Sequence, residues 1–209
     1  MPKELFYLWL LFWISTVSSS GELITAWLLA NSAAAQADAL HALSHSAWYG
    51  VAIYEYKKFG HSIFDSEEDG HAHHHFTVAY AILFFVSLGA VLIEAVFKLI
   101  HPAPIIPTYM LLSAGIGISG NIISIAIIWR MKPFYNVNPR FDQIWWHALA
   151  DIGVSVPVFS YALFLYFFPQ YSSFNFPDSA LTFTIVIYLG VKAYPLFFGE
   201  KSGHIKHHH

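Results

Sequence analysis

Pro104 to Trp129 reads PIIPTYMLLSAGIGISGNIISIAIIW, without one Asp, Glu, Lys or Arg. A helix needs about 20 mostly apolar residues to cross the roughly 30 Å hydrocarbon layer of a bilayer, and this stretch is long enough. Working outward, five more segments of the same kind can be laid along the chain: Leu5 to Ala30, Ala33 to Tyr56, Phe76 to Ile100, Gln143 to Phe168 and Ser179 to Phe198. The whole 209-residue sequence agrees, being 56% hydrophobic, 18% aromatic and only 11% charged. A soluble globular chain carries about 25% charged residues. Ten Lys and Arg with thirteen Asp and Glu could not solvate a surface of this size, so the apolar majority must face lipid. The expected fold is therefore an all-α membrane protein of six transmembrane helices, with residues 1–200 as the membrane domain and no soluble domain.

Turn and stop signals mark the boundaries: Asn31-Ser32, His101-Pro102-Ala103-Pro104, Met131-Lys132-Pro133 and Phe168-Pro169. The one long connection, Lys57 to His75, is polar and lacks helical periodicity. Lys and Arg in the loops fall on one side only, at Lys3, Lys57, Lys58, Arg130, Lys132, Arg140, Lys201 and Lys206, while Lys98 and Lys192 lie within the third and sixth spans. Positive loops stay on the cytoplasmic side, so both termini are expected there. The first span is too long and too aromatic for a cleavable signal. Residues 201–209 form a short tail in which Gly203 to His209 reads as readily as the stub of a purification tag as a native His tail.

Composition also excludes chemistries. The few, scattered basic residues make no nucleic-acid footprint, and the net charge is -3 with His neutral. With no cysteine there is no disulfide, thiolate catalysis, iron–sulfur cluster or Cys-based zinc site. Thirteen His are the anomaly, and they point to metal or protons.

Ionisable groups at membrane depth cost about 2.5–3.5 kcal/mol each on insertion scales, which makes them functional candidates. Here they are Glu22, Asp38, His41, His45, Glu94, His147 and Asp151. His41 with His45, and His147 with Asp151, are each spaced i, i+4, so each pair stacks on one helix face. Facing each other, the two helices would offer three imidazoles and one carboxylate, a donor set that suits a tetrahedral first-row ion, Zn²⁺ first. The alternative is that each pair is only an interhelical hydrogen bond or salt bridge. Asp38, one turn before His41, is either an acceptor for an imidazole N–H or a packing or capping residue. Glu22 and Glu94 read as structural, and Asp178, after the run Phe168 to Pro177, as part of an ordinary exit loop. His71, His73, His74 and His75, beside Asp65, Glu67, Glu68 and Asp69, would collect metal at the cytoplasmic mouth; the alternative is a solvated loop with incidental His.

Asn31 to His45, reading NSAAAQADALHALSH, resembles the second-helix motif of the cation diffusion facilitator family: Gly-Ser, then Ala-Asp-Ala, then two ligands four residues apart. HALADIGVS, from His147 to Ser155, is similar to the family's His-x-x-x-Asp followed by a small residue and Ser. Glu94 ahead of Leu99-Ile100-His101-Pro102, Asn121 and Pro177-Asp178 are weaker matches. The resemblance implies metal ligation by His41, His45, His147 and Asp151, efflux of a divalent ion by proton-coupled alternating access, a homodimer, and no enzymatic activity. The expected location is a bacterial inner membrane, and the expected partners are the metal ion, protons and the bilayer. Two departures stand out. His45 stands where Asp is usual, which widens the expected ion from Zn²⁺ to Co²⁺ or Ni²⁺, and Asn31 replaces the customary Gly. Family members usually continue past the sixth helix into a cytoplasmic α/β domain, for which residues 201–209 are too few. The rival readings are a membrane metal sensor or complex subunit and, further off, a membrane di-iron oxygenase suggested by His41-x-x-x-His45 and His71 to His75.

Overall fold

A tight turn at Asn31 reverses the chain between the first two helices. Asn31 has φ 55°, in the left-handed region, and is the one non-glycine residue with positive φ among the described residues. Glycine enters that region without penalty, and asparagine is among the few other residues that tolerate it, which accounts for Asn31 where glycine is customary. Its side-chain Nδ2 donates to the Pro104 carbonyl at 3.2 Å, a bond that glycine could not make.

The computed structural model describes residues 2–60, 72–134 and 139–198. Its helices are α1 (Lys3–Ile24, continued by a π-helical turn, Thr25–Ala30), α2 (Ala33–Phe59), α3 (Ala72–Ile100), α4 (Pro107–Met131), α5 (Pro139–Phe167) and α6 (Phe176–Phe198). The described residues hold no strand. All six expected segments are helical, with shifted ends. α3 starts earlier than expected, so the backbone of His73, His74 and His75 is helical, while His71 and the side chains of all four lie outside the described residues. α4 starts at Pro107 rather than Pro104, because a proline is accommodated at the first helical position and Ile106 before it is extended. α5 carries Pro157, which cannot donate to the Gly153 carbonyl and leaves the helical ladder one bond short just beyond Ser155.

α2 is the central helix, packed against α1, α3, α4, α5 and α6, while α1 lies along α4, α4 along α5 and α3 along α6. Two apolar cores fill the bundle. One, toward the Asn31 end, joins Ala30, Ala34, Leu88, Met110, Val158 and Leu189. The other, toward the opposite end, joins Leu8, Leu11, Tyr49, Ile53, Ile128 and Met131. Between them, α1, α2 and α5 contribute Ser15, Ser19, Glu22, Asp38, His41, Asp151 and Ser155, all buried. Outward, large apolar side chains are bare: Val17 on α1, Ile93 on α3, Ile122 on α4, Phe167 on α5 and Ile187 on α6. An apolar exterior around a polar interior layer suits a hydrocarbon solvent, not water. Among the described residues, α4 and the Ala148–Phe167 part of α5 are long and apolar enough to cross a membrane. α2 has lower hydropathy because Gln36, Asp38, His41 and His45 interrupt it.

Asp178 corrects the sequence reading. It is fully buried at the start of α6 rather than part of an exit loop. Its carboxylate accepts from Ser32 Oγ at 2.5 Å and from the backbone N–H groups of Ala33 (2.8 Å) and Ala34 (3.4 Å). Ser32 Oγ in turn accepts from the Ala35 N–H, so α2 has two N-terminal caps, one local and one from α6. Nearby, Gln36 donates to Glu94 Oε1, which also pairs with the buried Lys98 at 3.0 Å. Asn175 donates to the Ala103 carbonyl, Ser179 to that of Ala95, and the Ile106 N–H to that of Ala30. The Asn31 end of the bundle is thereby tied across four helices. Replacing Asp178 with Ala leaves a buried hydroxyl and two amides without their acceptor, a loss of about 2–4 kcal/mol. The expected outcome is a lower thermal midpoint in detergent than for Asp178→Asn, which keeps one acceptor oxygen.

Candidate metal centre

Within α2, His41 and His45 stand one helical turn apart on the face toward α5, about 12 and 18 Å along the axis from Ala33 at 1.5 Å per residue. Their rings meet edge to face with centroids 4.6 Å apart. Asp151, projecting from α5 between the two apolar cores, meets both. His41 Nε2 lies 3.0 Å from Asp151 Oδ1, and His45 Nε2 lies 3.5 Å from Oδ2. One carboxylate thus bridges two imidazoles, an oxygen to each. His41 and Asp151 are buried, whereas the His45 side chain keeps 16% exposure.

One ligand atom from each of these three residues lies within 4.8 Å of the other two. Ligands in a tetrahedral zinc site at about 2.1 Å from the ion are about 3.4 Å apart, so rotamer adjustments suffice to close the triad on an ion. Imidazole nitrogen with a carboxylate oxygen fits Zn²⁺, Co²⁺ or Ni²⁺ and does not fit Mg²⁺ or Ca²⁺, which want oxygens. His147, the fourth expected ligand, is in α5 one turn before Asp151, which sets it on the same helix face; its side chain lies outside the described residues.

Around the triad the bundle is asymmetric. A cavity of about 20 Å³, room for about one water molecule, is lined by His45, Asp151, Tyr49, Asn121, Ser15 and Ser124, among others. It borders the triad on the side of α1 and α4, from Tyr49 to Gly117. Toward Asn31 the space is filled by Ala34, Ala37, Val154 and Val158.

Asp38 takes part in an interhelical bond. Ser155 Oγ donates to Asp38 Oδ1 at 3.0 Å and can receive from Asn121 Nδ2 at 3.3 Å, which links α2, α5 and α4. Sequence reasoning missed Ser155 in this role, although its place in the stretch from His147 to Ser155, one turn after Asp151, was the available signal. It also set Glu22 aside as structural, and Glu22 proves to be a buried neighbour of Asp38.

A family model described as the cation efflux transmembrane domain matches residues 8–200. No curated protein matches the chain. If the triad holds an ion, Asp151→Ala lowers Zn²⁺ affinity by more than about 100-fold, well beyond the 10–100-fold typical of outer-shell partners. Titration of the purified protein with Zn²⁺ checks this. Unchanged affinity would reduce the triad to an interhelical ion pair.

Proposed function

The chain belongs to the cation efflux family, and on that premise we propose that it exports a divalent transition-metal ion, Zn²⁺ first and Co²⁺ or Ni²⁺ next, in exchange for protons. The matched domain is transmembrane, so the protein is integral to a membrane and its activity is metal cation transport; the family's members are transporters rather than enzymes. The observation that carries the finer reading is the convergence of His41, His45 and Asp151 in the polar layer between the two cores. His147 completes a four-ligand set of three imidazoles and one carboxylate.

In this reading all six helices span the bilayer with both termini in the cytoplasm, in a bacterial inner membrane, and two copies pair through their helices. Lys57 and Lys58 in the last turn of α2, and Arg130 in the last turn of α4, support an orientation with the Tyr49 end inside. In this reading the cavity beside His45 is part of the route by which the ion reaches the site, and the capped Asn31 end is the side that must open for release. Imidazoles bind metal only when neutral. Metal arrival therefore releases protons, and protons from the acidic side compete the ion off. His71, His73, His74 and His75 raise the local ion concentration at the inner mouth.

Flux in sealed proteoliposomes tests this, with Zn²⁺, Co²⁺, Ni²⁺, Fe²⁺, Mn²⁺ and Cd²⁺ offered in turn. Saturable uptake of one or two of these ions, with counter-movement of protons and a loss of more than about 100-fold in His147→Ala, is expected. Binding without flux would make the protein a sensor or a subunit instead. Deleting Asp69 to His75 should raise the apparent KM more than it lowers the maximal rate, and an unchanged concentration dependence would refute the collecting role.

A further inference from the structure

Glu22 lies where α1 passes close to α4. A Cβ on Gly117 would stand 2.6 Å from its Oε1, so the absence of a side chain there is what lets the carboxyl rest against α4. The residue is 1% exposed. Its main-chain carbonyl accepts from Thr25 Oγ1 and Ser113 Oγ, yet neither carboxyl oxygen receives a hydrogen bond from any donor among the described residues. The carboxyl is aimed at α2, within hydrogen-bonding reach of Asp38. Asp38 is 2% exposed, and its Oδ2 also has no donor; Ser155 serves only Oδ1. Two facing side chains thus present three buried carboxyl oxygens with no N–H or O–H between them.

Ionised carboxylates only accept hydrogen bonds, so two of them in contact cannot satisfy each other. One proton changes that, because the protonated partner donates to the other in a short, charge-assisted bond. Without it, two like charges would face each other inside an apolar bundle. A metal ion is the competing occupant, but Ca²⁺ and Mg²⁺ take six or more oxygens and Zn²⁺ prefers nitrogen, and the neighbouring Gly117 supplies no side-chain ligand.

We propose that Glu22 and Asp38 form a proton-binding site, one proton shared between the two carboxyls, separate from the metal centre and about one helical turn nearer the Asn31 end. The groups that face the pair are His41 from α2 and Asp151 from α5. From α4 come Gly117 and, through Ser155, Asn121, neither of which ionises. Glu94 and Lys98 of α3 and Asp178 of α6 are engaged closer to the Asn31 end, with each other, Gln36 and Ser32. When the proton leaves, the like charges push α1 and α2 apart, so occupancy of the pair is tied to the position of the helix that carries His41 and His45. Use of the site in ion exchange rests on the export reading; its occupancy does not.

Infrared spectroscopy of the full chain in liposomes tests the occupancy. Metal-free wild type at neutral pH should show the carbonyl stretch of a protonated carboxyl that shifts in D₂O. Glu22→Gln, whose amide can donate to Asp38 in the proton's place, should lose that band while binding Zn²⁺ within about threefold of wild type. In the same variant, Zn²⁺ uptake driven by a pH gradient should fall about tenfold, with about one proton fewer moved per ion. His41→Ala should do the reverse, losing Zn²⁺ binding and keeping the band. Absence of the band from the wild type overturns the proposal even if no variant folds. So does a band undiminished in Glu22→Gln, a band that vanishes with His41, or a second Zn²⁺ per chain lost with Glu22. Failure of flux with the band intact would count against export alone.

Discussion

A carboxylate placed halfway along a membrane-spanning helix has to be answered by its neighbours, and Asp151 is answered by two imidazoles from α2. The rest of the bundle follows from that requirement. Each exposed charge in hydrocarbon would cost a few kcal/mol, so the groups that need one another are gathered into one layer and screened on both sides by apolar side chains. The two hydrophobic cores are the walls of this layer. Their separation lets the helices carry Glu22, Asp38, His41, His45 and Asp151 and still present Val17, Ile93, Ile122 and Ile187 to the outside. An ion entering the layer finds ligands already drawn together by hydrogen bonds, so less ordering is left for the binding step.

The two ends of α2 are held very differently. At its N-terminus the Asp178 carboxylate and the Ser32 hydroxyl satisfy the first amides, and the connections around it are bonded to one another through Asn31, Asn175 and the Ile106 amide. Around His45 the helix borders a small cavity, and beyond it Tyr49 and Ile53 pack into the second apolar core without such caps. The capped end is held by hydrogen bonds, the other by apolar packing.

Much of this was legible in the sequence because it is periodic. The apolar stretches announced every helix, and the i, i+4 pairs announced the triad, since both depend on positions within a single helix. What was not legible depends on which helices touch. Asp178 lies far along the chain from Ser32, and nothing local in Phe176-Pro177-Asp178 distinguishes a residue that caps another helix from one in a solvated loop. Ser155 and Glu22 are similar cases, a small hydroxyl and a single acid whose partners come from other helices. The helix ends shifted for local reasons that propensity does not capture, as with Pro107 taking the first position of α4.

Glycine is what connects the ion site to the acid pair. Gly117 and Gly120 on α4 leave room for Glu22 and Ser18 of α1, where a Cβ would stand 2.6 Å and 2.5 Å from their side-chain oxygens. In membranes, where no hydrophobic effect presses helices together, such close approach is a main source of association. It holds α1 with Glu22 at the level of Asp38, and Asp38 in turn shares Ser155 with the helix of Asp151. The acid pair and the His41, His45 and Asp151 triad are therefore parts of one polar layer carried by three helices. A movement of α2 that shifts His41 and His45 relative to Asp151 must also change the gap between Asp38 and Glu22. Whatever occupies that gap has a mechanical claim on the ion without touching it.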